Sequence, residues 1–180
     1  MIGPEEIEDP QSGQRWVFRR TDGDVLEADL YVSPGAFVRE HVHPAQEETF
    51  TGVAGTFVLE VAGERRTIQP GDSVVVPAGM PHGFEQVSEA AQLRVTVRPA
   101  LRLVEYFRAF LGLSRDGKLA MPRSGLPRPL LLSAVLLHRF RAEVAAPELP
   151  VWLQRPLWRV LALVARLRGH RASYPEYGAP

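Results

Sequence analysis

The chain has 180 residues, of which 45% are hydrophobic, so it can bury a core as one or two small domains. It contains no cysteine, which excludes disulfides, thiolate metal ligands, iron–sulfur clusters and cysteine nucleophiles. The formal net charge is zero, yet residues 1–97 carry 7 arginines and 16 acidic residues, whereas residues 98–180 carry 14 basic and 5 acidic residues. An acidic front half is therefore followed by a basic back half.

The first fourteen residues show no regular pattern. Residues 1–14 combine proline, glycine and acidic residues without an apolar period, which predicts a loose N-terminal arm. The segment lacks the basic and apolar stretches of a signal peptide, so we expect the protein in the cytoplasm.

Short β-branched and aromatic runs, separated by turn residues, begin at Arg15. Ala62-Gly63 has the composition of a hairpin tip. Closely spaced strands with glycine and proline between them favour an antiparallel sandwich or barrel over residues 15–99. The nine predicted strands cover residues 16–20, 25–32, 36–43, 48–53, 56–61, 65–68, 73–76, 82–86 and 92–98.

After Pro99 the spacing of apolar residues changes from two to about 3.6, which predicts a helical region over residues 100–180. Three helices are expected in it, none with the uncharged length that a membrane span needs. They cover residues 99–111, 129–145 and 156–168, with Gly112, Pro147 and Gly169 as C-terminal stops and residues 113–128 as a linker.

Three of the five histidines lie close to carboxylates in the predicted strands. His41 and His43 are two residues apart and so project from the same face of a strand, Glu48 opens the next strand, and His82 follows a glycine- and proline-rich turn. A single buried histidine is more often a hydrogen-bonded core residue than a ligand, but the joint pattern indicates a metal site. Three imidazoles and one carboxylate suit iron, manganese, nickel, zinc or copper, and they disfavour calcium and magnesium.

Two stretches around these residues resemble the two sequence motifs of the cupin superfamily. The first motif is Gly, five residues, His-x-His, three or four residues, Glu, six residues, Gly; its matches are Gly35, His41, His43, Glu48 and Gly55. The second motif is Gly, five residues, Pro-x-Gly, two residues, His, three residues, Asn; its matches are Gly71, Pro77, Gly79 and His82, with Gln86 in place of Asn.

The resemblance implies a small single-domain monocupin over residues 15–99, with an antiparallel, jelly-roll-like barrel (a double-stranded β-helix) that holds the metal in its mouth. Such barrels are often homodimers. Cupins include dioxygenases, isomerases, cyclases, decarboxylases and non-catalytic binding proteins, so the resemblance does not name a reaction. We expect an enzyme that acts on a small oxygenated organic molecule, and the alternative is a non-catalytic module that binds or senses a small ligand.

Strand alternation also predicts the lining of a pocket beside the metal. Arg39 is a candidate to hold a substrate carboxylate or enolate, with a rim arginine paired to an acid as the alternative. Gln86 is a candidate to orient a ligand or substrate, with an ordinary strand-end glutamine as the alternative. The residues expected on the ligand face are Phe37, Arg39, Phe50, Gly52, Phe84 and Gln86.

The third predicted helix carries Arg155, Arg159 and Arg166 on one stripe, with apolar residues over much of the remainder. A basic amphipathic helix can lie on an anionic membrane surface or engage a partner. We favour the alternative in which the helices cover the barrel or build a dimer, with the arginines meeting acids of the front half. Nucleic-acid binding is not expected, because the arginines belong to no recognisable motif.

Overall fold

The structure is a computed structural model that describes residues 5–9, 11–21, 24–86, 91–120, 122 and 127–179. It confirms the predicted antiparallel β fold followed by helices. The strands are β1 (Glu5–Asp9), β2 (Gln14–Arg20), β3 (Leu26–Val32), β4 (Phe37–His41), β5 (Glu47–Ala54), β6 (Phe57–Val61), β7 (Glu64–Ile68), β8 (Ser73–Val76), β9 (His82–Gln86) and β10 (Ala91–Arg98). The helices are α1 (Leu103–Arg115), α2 (Leu130–Arg139) and α3 (Val151–Leu167), followed by a 3₁₀ turn at Pro175–Tyr177.

Two antiparallel sheets share one apolar core. The larger sheet has the order β1-β2-β3-β10-β5-β8, and the smaller sheet has the order β4-β9-β6-β7. In β10, Leu93, Val95 and Val97 are buried and alternate with more exposed residues, as expected for a strand with one face on the core. Phe57 and Leu59 of the smaller sheet belong to the same buried cluster. The space between the two sheets is therefore the core of a β-sandwich.

Strand β1 lies where the sequence pattern predicts only a loose arm. It pairs antiparallel with β2, with Ile7 opposite Trp16, and Ile7 packs against the core. Arg108 of α1 donates through Nε to the carboxylate of Glu5 at 2.6 Å. The expectation of a loose arm is therefore wrong for residues 5–9. The partners that order this acidic strand lie elsewhere in the chain, and local composition does not reveal them.

The predicted hairpin tip at Ala62-Gly63 is confirmed. These two residues join β6 to β7, and both have positive φ angles, 52° at Ala62 and 81° at Gly63. A two-residue hairpin turn with positive φ at both positions matches the right-handed twist of the strands that it connects.

The first helix begins and ends later than the sequence predicts. It starts at Leu103 and runs through Gly112 to Arg115, so Gly112 is not a helix stop. A Cβ atom at position 112 would lie 2.5 Å from the ring of Tyr177, which packs on the helix at this point. The glycine is required by this close approach and not by the end of a helix.

The second and third helices also differ from the predicted bounds. Helix α2 stops at Arg139, six residues before the predicted end, and Ala145 instead pairs with Val42 in an isolated antiparallel bridge. Helix α3 begins at Val151, so Pro156 lies inside it. In the part of the chain that the structure describes, no helix is both long enough and apolar enough to cross a membrane.

The helices occupy two different environments. Helix α1 packs on the sandwich: Leu103 and Leu111 join its core, and the ring of Phe107 lies 4.5 Å from that of Trp16. Helix α2 packs on α1 in a second apolar cluster and on α3 in a small third cluster, which contains Val135, Ala162 and Ala165. Of the three helices, α1 alone contributes residues to the main core in the described part of the chain.

We predict that Gly83→Ala lowers the free energy of unfolding by about 3 kcal/mol or more. A Cβ atom at position 83 would lie 2.6 Å from the Val38 carbonyl oxygen and 2.9 Å from the Glu40 nitrogen, so strand β4 would have to move. Gly63→Ala is the control, because its Cβ would meet nothing within 4 Å and only its φ of 81° would be strained, at a cost of about 1–2 kcal/mol. Urea denaturation measures both, and equal losses would contradict the prediction.

Candidate metal centre

The structure brings together the four side chains that the sequence predicts as metal ligands. His41 is the last residue of β4, His43 follows two residues later, Glu48 lies at the start of β5, and His82 is the first residue of β9. Their potential ligand atoms all lie within 4.8 Å of one another. His43, Glu48 and His82 are at most 3% exposed, and His41 is partly exposed. This group could hold a metal ion.

Both sheets position the cluster. In the smaller sheet, His41 lies directly opposite His82 in the pairing of β4 with β9. In the larger sheet, Glu48 lies between its partners Val76 of β8 and Val97 of β10. The turn before β9 is tied to the cluster because the Gly79 amide donates to the His43 carbonyl at 2.8 Å. The four side chains therefore meet only when the two sheets pack together.

The three histidines point the same ring nitrogen towards the centre of the cluster. Each Nδ1 lies within hydrogen-bond distance of a backbone carbonyl, and since a carbonyl can only accept, each Nδ1 carries the proton. Each neutral ring therefore keeps a lone pair on Nε2, which is the form that binds a metal. The donor–acceptor pairs are His41 with Arg39 (2.9 Å), His82 with Met80 (2.9 Å) and His43 with Glu143 (2.5 Å).

The distances between the inward-facing atoms fit one shared ion. Nε2 of His41 lies 3.2 Å from Nε2 of His43, which lies 3.3 Å from Oε2 of Glu48. That carboxylate oxygen is 2.8 Å from Nε2 of His82. Ligands that sit about 2.1 Å from a transition-metal ion are separated from their neighbours by about 3 Å. The spacing and the donor types therefore both fit a divalent transition metal.

The electrostatics of the cluster favour two of the protonation states that a metal requires. Burial and the neighbouring charges of His82 and His43 hold the pKa of His41 well below its ordinary value, so this ring is neutral. Burial alone would raise the pKa of Glu48, but the charges and hydrogen bonds of His43 and His82 outweigh it and lower that pKa. Burial also opposes protonation of His43, but its interactions with Glu48 prevail and raise its pKa. Protons therefore compete with a metal ion for Nε2 of His43 more strongly than they do for an ordinary histidine.

Aromatic rings form the apolar wall beside the cluster, as the sequence predicts for Phe50 and Phe84. The Phe50 ring lies 5.9 Å from the His82 ring and 6.5 Å from the Phe84 ring. Phe84 in turn contacts Phe57 at 6.2 Å, edge to face. All three rings are at most 4% exposed. They exclude water from one side of the histidines.

The predicted position of Phe37 on the ligand face is wrong. The pairing of β4 with β9 shifts register between Val38 and His41, so Val38 lies opposite Phe84 and packs against the core. Cross-strand partners share a face, and Phe37 therefore points to the other side of the sheet. A β-bulge changes the alternation of side chains, and sequence spacing alone does not reveal it.

The structure describes the side-chain contacts of Arg39 but not those of Gln86, the other candidate for binding substrate. Arg39 lies in the irregular stretch of β4 and donates to the carboxylate of Glu148 at 2.8 Å. It also lines a cleft of about 320 Å³ together with Glu60 and Arg65, and the four clustered residues are not among those that line this cleft. The backbone of Gln86 pairs with Phe57, but its side chain lies outside the part of the chain that the structure describes.

One contact that orients a histidine of the cluster leaves no signal in the sequence. The carbonyl that orients His43 belongs to Glu143, 100 residues away along the chain. Val42 and Ala145 exchange two backbone hydrogen bonds, at 3.0 and 2.8 Å, which fix this segment against the end of β4. The buried Glu143 carboxylate accepts from the backbone and side chain of Arg102 at 3.3 and 3.4 Å. The C-terminal region is therefore physically connected to the histidine cluster.

Comparison with known proteins shows similarity between part of the chain and one family. The model of the family described as "Cupin domain" matches residues 29–97. A solved RmlC-like cupin from Shewanella frigidimarina is 25% identical, with a TM-score of 0.51, over 56% of this chain and 88% of that one. KdgF from a Halomonas species is 23% identical, with a TM-score of 0.50, over 53% of this chain and 86% of that one, which shows the fold alone. No curated protein matches the chain.

We predict that metal affinity falls as the pH decreases, and that the fall begins above pH 6.5, the ordinary pKa of histidine. The raised pKa of His43 keeps that ring protonated at a higher pH than an ordinary histidine, and protons compete with the metal for its Nε2. Competition titrations of the metal-free protein with Zn²⁺ between pH 5.5 and 8.5 measure this dependence. A constant affinity over this range would contradict the prediction.

We predict that Arg102→Ala lowers metal affinity by about tenfold, a typical effect of losing support behind a ligand. The change leaves the buried Glu143 carboxylate without its cation, so the carbonyl that orients His43 is held less firmly. Arg115→Ala is the matched control, because Arg115 pairs with Asp116 at the surface. Zn²⁺ titration of both variants gives the comparison, and equal affinities would disprove the connection.

Proposed function

We propose that the chain is a metal-dependent cupin enzyme whose centre acts on a small oxygenated organic molecule, a proposal that the match of residues 29–97 to the cupin family model supports. The observation that carries this proposal is the convergence of three histidine Nε2 atoms and the Glu48 carboxylate, with every Nδ1 held by a backbone carbonyl. In the proposed centre, His41, His43, Glu48 and His82 hold one divalent transition-metal ion.

The chemistry of the donor set supports a metal in preference to a purely structural polar cluster. If His41 and His43 are both neutral, their inward-facing Nε2 lone pairs repel each other at 3.2 Å unless a proton or a cation lies between them. Glu48 is ionised and contributes one negative charge, which attracts a divalent ion into a site of low dielectric constant. Four protein ligands leave one or two positions of a five- or six-coordinate ion for substrate or water.

When bound, the ion would supply Lewis acidity toward a substrate oxygen and, if it is iron, manganese, nickel or copper, a redox centre as well. The chain's own residues would select what reaches it. His41 is the one partly exposed member of the cluster, so a substrate would approach along its edge. Phe50 and Phe84 would contact the apolar body of the substrate and keep bulk water away.

The proposed reaction is of the dioxygenase, cyclase or isomerase type. The proposed metal is iron, manganese, nickel, zinc or copper, and elemental analysis of the purified protein identifies which. Arg39 and Gln86 remain predicted substrate contacts, although Arg39 would first have to release Glu148. Residence in the cytoplasm and assembly as a homodimer also remain predictions.

We predict that the purified protein contains about one divalent transition metal per chain, and that His41→Ala combined with His82→Ala removes it. The double variant deletes two of the four donors, and one of them, His82, is fully buried. A His138→Ala, His170→Ala variant is the control, because it also removes two histidines but leaves the cluster intact. Elemental analysis measures the metal, and an undiminished content in the first variant would refute the site.

Catalysis is tested separately from metal binding. We predict that the metal-loaded protein converts small enolic or phenolic compounds, with or without oxygen, and that the His41→Ala, His82→Ala variant does not. Parallel aerobic and anaerobic incubations followed by mass spectrometry distinguish an oxygen-dependent reaction from an isomerisation. Tight binding with every compound recovered unchanged would refute the enzyme and favour the non-catalytic ligand-binding module.

A further inference from the structure

Helix α3 exposes an apolar stripe to solvent. Only one side of the helix is buried, through Gln154, Trp158, Ala162 and Ala165. The opposite side carries large apolar residues whose exposed fractions are Trp152 73%, Leu153 41%, Leu157 38%, Val160 61%, Leu163 60% and Leu167 81%. A contiguous exposed patch of this kind marks an interaction surface.

The spacing of these residues makes the stripe continuous along the whole helix. Leu153, Pro156, Val160, Leu163 and Leu167 follow one another at intervals of three and four residues, so they lie on one face. The helix has 17 residues and is therefore about 25 Å long. The stripe is an extended surface and not a single exposed side chain.

Positive charge borders the stripe. Arg155, Arg159 and Arg166 lie between the exposed apolar face and the buried face, and within the described residues none of the three forms an ion pair. Arg141 adds to this group near the end of α2, where burial and the charges of Arg141, Arg166 and Arg159 lower the pKa of His138. No acidic residue occurs between Glu148 and Glu176. The surface thus combines apolar area with cations that have no ion-pair partner among the residues that the structure describes.

We propose that α3 lies flat on an anionic phospholipid surface. The apolar stripe would enter the boundary between headgroups and acyl chains, and the bordering arginines would bind lipid phosphates, as in other interfacial amphipathic helices. The arginines need negative charge, and an anionic bilayer supplies it along the full length of the helix. This proposal is independent of the metal centre.

A second copy of the chain fits this surface less well. If two stripes packed against each other, Arg159 and Arg166 of both copies would border the same interface without an acidic residue from either helix. The apolar residues would be covered, but like charges would be brought together. The sequence of α3 therefore favours lipid over self-association.

Intrinsic fluorescence tests the proposal directly in the full-length protein. Trp152 is 73% exposed, whereas Trp16 and Trp158 are 4% exposed, so Trp152 is the residue whose emission should respond to lipid. Vesicles of phosphatidylcholine and phosphatidylglycerol in equal amounts should shift the emission to the blue, and lipids with brominated acyl chains should quench it. Vesicles of pure phosphatidylcholine should give a smaller shift, and Trp152→Phe should abolish both signals.

Vesicle flotation with surface variants identifies the residues responsible. Leu163→Ser with Leu167→Ser should abolish binding without unfolding the protein, because both side chains are exposed. Val53→Ser with Val75→Ser is the matched control, since these residues are exposed on the sandwich at 41% and 52%. Arg159→Gln with Arg166→Gln should weaken binding to anionic vesicles by about tenfold or more.

Two results would overturn the proposal. The first is that the protein fails to float with anionic vesicles, or floats equally well after the Leu163→Ser, Leu167→Ser change. The second is that analytical ultracentrifugation shows a dimer that the same two substitutions convert to monomers. The stripe would then be an interface between copies of the chain and not a lipid-binding surface.

Discussion

The site depends on the hydrogen bonds between three histidine Nδ1–H groups and three backbone carbonyls. Without these partners, each ring could rotate or change tautomer, and the three Nε2 lone pairs would not share one centre. Placing three imidazoles and a carboxylate in a nearly dry interior is unfavourable unless each polar atom has a partner. The protein meets this requirement on the outer side of each ring, and the proposed metal ion would meet it on the inner side.

The third of these hydrogen bonds gives the C-terminal region a role in the site. His43 is oriented by the Glu143 carbonyl, and Glu143 is held in turn by Arg102 and by the pairing of Ala145 with Val42. A displacement of this segment would change the orientation of a proposed metal ligand without touching the barrel. The family match ends at residue 97, so this support comes from outside the matched domain.

The helices that follow the sandwich differ in what they bury. Helix α1 contributes Leu103 and Leu111 to the main core, and Gly112 allows Tyr177 of the C-terminal tail to pack on it. Helix α3 buries only the side that faces α2 and leaves its apolar stripe exposed beside Arg159 and Arg166. Exposing this much apolar surface is unfavourable in water, and contact with a lipid surface would remove that penalty.

The sequence by itself determined the approximate positions of β2 to β10, the hairpin at Ala62-Gly63 and the four residues of the cluster. These features follow from local rules: period-two alternation, turn composition and the spacing of His41, His43, Glu48 and His82. Tertiary structure alone decided that residues 5–9 form a strand, that Phe37 points away from the cluster and that Glu143 orients His43. Each of these depends on a partner distant in the chain, or on a bulge set by strand pairing, and neither leaves a local pattern in the sequence.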